Sequence, residues 1–303
     1  SPVLALLGTL ATLPAQEPLT AKSFLPADHD TVVVADLKRM RDAGIWDELD
    51  HSVLSMAFRQ MEKEAGFALD ALDRVTAVMM QPDTEEKARS ASVMPLILFE
   101  GNAPLGWPPA ATGSSRYSKQ AIGEHDCYVH SFFGSYQFVL ALPSPNLRVV
   151  GPQDILEPAL TGHPPNGRPK ADLLSLLSGR GDNLAYAVVA IGTEAQRRGI
   201  RIDLIRDTKW PDDDQPTYFM LRLQAVGDPD DPHLQVEGVL RHQLGKQGLE
   251  VSDKAVRELI ASLKAAAKTP AMKAVWDKVQ LEKSGIDLVA RIDLGRVRDA
   301  IGT

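Results

Sequence analysis

Short apolar runs, rich in β-branched residues or alternating in polarity, recur along nearly the whole chain. They are Thr31-Val32-Val33-Val34-Ala35, Val75–Met80, Val93–Phe99, Cys127–Phe133, Tyr136–Leu142, Leu147–Val150, Leu184–Ile191, Thr217–Val226 and Leu234–Gln243, with Ile286, Leu288, Ala290 and Ile292 alternating as the last. Most are bounded by Gly, Pro, Asp or Asn, so each reads as a strand that must find neighbours to bury its apolar side. Two joints predict hairpins, Gly134-Ser135 and the turn Gly227–Pro232. A Pro95 inside its run fits an edge strand or a bulge. Helical spacing is confined to a few segments: a start at Leu37 and Met40 after Asp36 as N-cap, an amphipathic stretch over 46–65 ending at Gly66, a short helix Gln153–Leu160, and a stripe Val256, Leu259, Ile260, Leu263 and Ala267 capped by Ser252. Thr193 with Gln196 matches a capping box, and Pro270 breaks the last stripe, which resumes at Met272, Val275, Trp276 and Val279. The expected fold class is therefore α+β: two related lobes, mainly antiparallel sheets covered by amphipathic helices.

The lobes are expected at 18–160 and 171–303, joined by a linker at 161–170 that carries His163-Pro164-Pro165-Asn166-Gly167. They are called related because Val34-Ala35-Asp36-Leu37-Lys38-Arg39-Met40-Arg41-Asp42-Ala43 is echoed by Arg291-Ile292-Asp293-Leu294-Gly295-Arg296-Val297-Arg298-Asp299-Ala300. Both copies read as strand, Asp cap, helix start. Ahead of the lobes, Val3–Leu13 is an apolar and small-residue run followed by Pro14-Ala15-Gln16-Glu17. A run of about ten such residues is half of what spans a bilayer and matches the end of a secretory signal peptide, so 1–17 is expected to be a signal-peptide remnant. The protein is expected to be extracytoplasmic, periplasmic or secreted, with no transmembrane span in its mature form.

A length of 303 residues with 44% hydrophobic and 24% charged content supplies apolar surface for a large core. The single Cys127 rules out an intramolecular disulfide and every Cys-rich metal pattern. A net charge of −7 disfavours phosphate backbones and anionic lipid, so no nucleic-acid partner is expected. Phosphate-binding glycine loops, the His-Glu-x-x-His zinc motif, the Gly-x-Ser-x-Gly elbow and Ser-x-x-Lys are all absent from the sequence. The chain is read as non-enzymatic, with no cofactor.

The segments Leu25-Pro26-Ala27-Asp28, Val32-Val33-Val34 and Asp36-Leu37, with Gly66-Phe67-x-Leu69-Asp70-x-Leu72-Asp73-x-Val75 and Val149-Val150-Gly151, resemble a loose class of uncharacterised exported bacterial α+β proteins. The resemblance covers most of the chain in rhythm and implies export and fold. It transfers no activity and no catalytic residue.

Two places draw attention as sites. Tyr117, Tyr128, Phe132, Phe133, Tyr136 and Phe138 crowd one stretch, and Trp107 stands between Gly106 and Pro108 in the Pro/Gly/Ser-rich segment Asn102–Ser118. Such aromatics either pair across strands in a core or anchor a contact, and Trp107, Tyr128, Phe132, Phe133 and Tyr136 are the candidate binding residues. The second place is Glu124-His125-Asp126-Cys127-Tyr128-Val129-His130, whose His125, Asp126, Cys127 and His130 are donor types for a transition metal. Strand alternation splits them, His125 and Cys127 on one side, Asp126 and His130 on the other. The acidic turns Asp212-Asp213-Asp214 and Asp228/Asp230-Asp231 read as solvated turns rather than calcium loops. The expected function is an exported binding or envelope-assembly protein with a protein partner in the cell envelope; the alternative is a metal-dependent extracytoplasmic enzyme.

Overall fold

The computed structural model describes residues 19–25, 31–46, 59, 62–63, 66–79, 95–113, 116–132, 136–163, 183–191, 208–228 and 231–296. The leader, most of the 46–65 stretch, Phe133 with the Gly134-Ser135 turn, the 193–196 capping box and most of the 161–170 linker lie outside them. Twelve strands are described: β1 (Thr31–Asp36), β2 (Leu72–Met79), β3 (Leu96–Gly101), β4 (Tyr117–Ile122), β5 (His125–Phe132), β6 (Tyr136–Ser144), β7 (Leu147–Pro152), β8 (Asn183–Ala190), β9 (Pro216–Asp228), β10 (Asp231–His242), β11 (Gln280–Ser284) and β12 (Asp287–Arg296). The described α-helices are α1 (Leu37–Asp42), α2 (Pro109–Gly113), α3 (Gln153–Leu160), α4 (Gln247–Ala266) and α5 (Pro270–Asp277). Mainly antiparallel sheet with a few helices is thus the architecture. None of the described helices is long and apolar enough to cross a membrane.

The strands form one sheet in the order β11-β12-β10-β9-β8-β1-β2-β3-β7-β6-β5-β4. The halves of the chain meet where β1 pairs antiparallel with β8, Val34 opposite Tyr186. Because side chains alternate across a strand, the register defines rows of neighbours on one face. One row on the first face runs Cys127, Ala141, Val149, Leu98, Thr76, Val34, Tyr186, Arg222, Glu237, Arg291. From Cys127 to Tyr186 every member is buried. Helix α3 covers this end with Leu156, Ala159 and Leu160, beside Phe24 and Leu25 of the turn after Thr20. From β9 onward the row becomes ionic: Glu237, only 4% exposed, sits between Arg222 and Arg291, and Arg291 reaches Glu282 at 2.6 Å. A carboxylate so enclosed is tolerable only because both flanks are cationic.

On the second face, α4 seals one end by packing Leu249, Val251 and Val256 against Phe219, Leu240 and Leu288. At the N-terminal half Leu37, Leu69, Leu72 and Leu105 form a cluster with Met40, Trp46, Phe67, Val75 and Phe99.

Several local expectations change. Pro95 stands just before β3, so β3 keeps its ladder and lies between β2 and β7 rather than at an edge. The segment read as irregular over 102–118 contains α2 and runs into the edge strand β4. Asp36 caps α1 as expected, accepting from Arg39 N–H at 2.9 Å. Its echo partner Asp293 does not cap a helix: it accepts from Gly295 N–H at 2.8 Å inside β12, where Gly295 has a φ of 92° and the register with β10 shifts. The echo thus ends in a strand bulge at Asp293 where it ends in a helix start at Asp36. Ser252 lies inside α4, which begins at Gln247 with no side-chain cap of its own from Lys246.

Candidate functional site

The aromatic corner forms where the 102–108 segment crosses the second face. Asn102 N–H donates to the Ala71 carbonyl at 3.0 Å and Leu105 N–H to the Pro145 carbonyl at 2.7 Å. Leu105, 3% exposed, plugs into the leucine cluster. The chain then passes over Gly66 so closely that a Cβ there would lie 3.0 Å from the Trp107 carbonyl oxygen and 2.7 Å from Pro109 Cδ. Gly66 also has a φ of 74°, so glycine is required at that crossing on two counts. Thus held, the half-buried Trp107 ring meets Tyr128 edge-on, centroids 4.8 Å apart at 69°. Tyr128 projects from β5 on the face opposite Cys127, and Tyr117 tilts against His130 on that same face at 5.0 Å.

Beneath the same loop, the Arg148 guanidinium lies 4.4 Å from the Phe67 ring centroid, and Phe67 meets Phe99 edge-on at 5.6 Å. Arg148 is 2% exposed, and burial lowers its pKa to about 10, which leaves it cationic at neutral pH. A buried guanidinium over an aromatic face gains from the ring quadrupole where water is excluded. Of the five candidate binding residues, Trp107 and Tyr128 are brought together. Phe132 and Tyr136 are register partners on β5 and β6, and Phe133 lies outside the described residues.

The donor-rich segment does not converge. Cys127 is fully buried, its Sγ–H directed at the His125 carbonyl at 3.6 Å, and burial pushes the thiol up to about 11, so it stays protonated. Asp126 is exposed and paired with Lys119 at 2.6 Å. His130 lies against Tyr117 on the opposite side from Cys127, and His125 is half-buried. Among the described residues no group of three or more His, Cys, Asp or Glu side chains could hold a metal ion.

A second constellation escaped the sequence reading. Asp214, taken there as part of a solvated acidic turn, is 2% exposed. Its carboxylate accepts four backbone N–H groups: Leu244 and Gly245 on Oδ1, both at 3.0 Å, and Lys246 at 2.7 Å and Gly248 at 2.8 Å on Oδ2. The cap that Ser252 was expected to give α4 therefore comes from a remote turn. Burial pushes the Asp214 carboxyl up, the four donors outweigh it, and its pKa lies below the ordinary carboxylate value. Beside it Trp210 Nε1–H donates to Ser252 Oγ at 2.7 Å, Ser252 Oγ lies 2.9 Å from His242 Nε2, and His242 Nδ1 lies 3.3 Å from the Asp214 carbonyl oxygen. The chain of donors closes if Ser252 donates to Nε2 and Nδ1–H donates to that carbonyl. Burial lowers the His242 pKa, partly offset by the Asp214 carbonyl, so the ring is neutral, in keeping with that tautomer.

Ser, His and Asp side chains in one cluster invite a hydrolase reading, but the geometry opposes it. Ser252 and His242 are each 1% exposed, and the Asp214 carboxylate is spent on backbone donors, with Oδ1 3.9 Å from His242 Nδ1. A nucleophile needs access to a reacting carbon. The cluster locks the start of α4 to the ends of β9 and β10. The signal that could have revealed it is Gly248: a Cβ there would lie 2.0 Å from the Asp214 carbonyl oxygen, so only glycine lets the two segments touch.

No family model matches the sequence, and no curated protein matches it. Among solved structures, crystal form I of TP0453 is similar over 95% of this chain and 96% of that chain, with a TM-score of 0.48 and 11% identity.

Proposed function

We propose that this protein is an exported, non-enzymatic binding protein that engages a protein partner in the cell envelope through the aromatic corner around Trp107 and Tyr128. One observation carries the reading: Trp107 is half-buried, pinned by Leu105 and by the Gly66 crossing, and set edge-on against Tyr128. An aromatic pair held rigid yet partly open loses little conformational entropy on contact, which is what anchor residues at interfaces share. The Ser–His–Asp cluster is sealed and the His125–His130 donors are dispersed, which favours binding over catalysis. Export rests on the apolar leader at 3–13. We read the two sides of the sheet, β1–β7 and β8–β12, as the related lobes suggested by the Asp36/Asp293 echo.

The test is a photo-cross-linking residue placed at Trp107 in the full chain and expressed in the producing cells. The reading expects one dominant envelope-protein adduct, lost when Tyr128→Ala is added and absent when the cross-linker replaces Lys268, an exposed residue outside the corner. The same adduct pattern from both positions would overturn it, as would no adduct from Trp107.

A further inference from the structure

Helix α4 rests on the sheet for only half its length. Its first turns bury Leu249 and pack Val251 and Val256 against Phe219, Leu240 and Leu288. Beyond Val256 it leaves the sheet: every residue from Arg257 to Ala266 is exposed except the half-buried Ile260. That is about 15 Å of projecting helix. The chain turns at the buried Ala267, and α5 packs back against α4 and β12. Thr269 Oγ1 caps α5 by accepting from Met272 N–H at 3.2 Å, and Lys264 pairs with Asp277 across the two helices. A cap and an ion pair thus hold the projecting part as a helical hairpin.

Apolar side chains stand on its outside. Leu259 and Leu263, 38% and 36% exposed, lie one turn apart on one face of α4. Met272, 51% exposed, lies in the first turn of α5, on the other side of the connection from Leu263. Cations surround them in the sequence. Between Lys254 and Lys278 stand six Lys or Arg and two Asp or Glu, a net charge of +4 in a chain whose total is −7. Lys254, Lys268, Lys273 and Lys278 are all exposed. The negative total disfavours anionic surfaces for the chain as a whole. Exposed charges farther off than a Debye length, about 8 Å at physiological salt, are largely screened, so the local excess governs what the hairpin meets.

The residue types choose among the occupants that could cover such a surface. A second copy of the hairpin would bring like charge against like charge. Protein interfaces are enriched in Arg and poor in Lys, whereas five of these six cations are Lys. A lysine stem can lie along an apolar boundary while its ammonium reaches a phosphate. A basic amphipathic helix with an apolar stripe lies in the headgroup plane of a bilayer rather than across it.

We propose that the α4–α5 hairpin docks on an anionic lipid surface, Leu259, Leu263 and Met272 entering the boundary between headgroups and acyl chains and the neighbouring lysines meeting lipid phosphates. This surface is separate from the aromatic corner and does not depend on it.

Flotation of the full chain with lipid vesicles tests the idea. The protein should float with vesicles of phosphatidylglycerol and phosphatidylcholine in equal parts and stay behind with phosphatidylcholine alone. Raising the salt from about 0.1 M to about 1 M should release most of it. Leu263→Ser combined with Met272→Ser should weaken vesicle binding about tenfold without lowering Tm, because both side chains are exposed. Lys268→Glu combined with Lys273→Glu should weaken it at least tenfold. Trp107→Ala should leave it unchanged. No flotation with the anionic vesicles would overturn the proposal and direct the hairpin to an acidic protein instead. Equal flotation with phosphatidylcholine alone, or binding unaltered in either double variant, would overturn it too. Loss of binding in Trp107→Ala would move the contact to the aromatic corner and would equally contradict it.

Discussion

Asp214 and His242 both tie folding to pH with the same sign. His242 binds its proton less readily folded than unfolded, because burial lowers its pKa from 6.5. The stability tied to that difference is fully present above the unfolded value and is lost as pH falls through the folded one. Asp214 has the same sign at lower pH, since its carboxyl is depressed from 3.8. Urea midpoints should therefore drop between about pH 7.5 and pH 5.5. His242→Gln should start about 1–3 kcal/mol less stable at pH 7.5, with two hydrogen bonds disturbed, and show a flatter slope over that range. An unchanged slope would mean another group titrates there. None of this was legible from the sequence. Asp212, Asp213 and Asp214 are adjacent and identical in type, and what separates them is a backbone approach some thirty residues downstream, at Gly245 and Gly248. Cys127 was easier to place, because an apolar strand on an alternating pattern assigns its thiol to the buried face without tertiary information.

At the scale of elements, sequence periodicity located most strands and missed what lies across them. The long β9–β10 hairpin was readable because its apolar and polar positions alternate around Gly227-Asp228-Pro229. The 102–118 segment was not, since Pro and Gly mask a short helix whose place depends on Leu105 docking into leucines from elsewhere. That docking makes a prediction. Leu105→Ala should cost about 2–5 kcal/mol, the usual range for emptying a packed leucine site. It should also free the Trp107 ring, seen as a red-shifted and more quenchable tryptophan emission, while Leu156→Ala on α3, which packs on the opposite face, should destabilise comparably without that spectral change. Equal spectra in the two variants would show that Leu105 does not hold Trp107. Helix α4 teaches the converse point: Ser252 looked like a cap from its local spacing, yet the helix begins earlier, because a carboxylate from another turn gathers its free N–H groups.

For the whole molecule the decisive feature is the seam between β1 and β8, which turns two halves of a chain into one sheet. Composition and strand patterning gave the α+β class and the antiparallel preference. They could not give strand order, because a β-branched run such as Val32–Val34 is equally content beside Val78 or beside Val188, and pairing partners far apart in sequence leave no local trace. Native-state hydrogen exchange in increasing urea tests the seam most directly. Amides of β2 and β3 and those of β9 and β10 should converge on one opening free energy and one urea dependence, with β1 and β8 among the slowest. Two separate openings, with β8–β12 exchanging as a unit while β1–β3 stay protected, would contradict it.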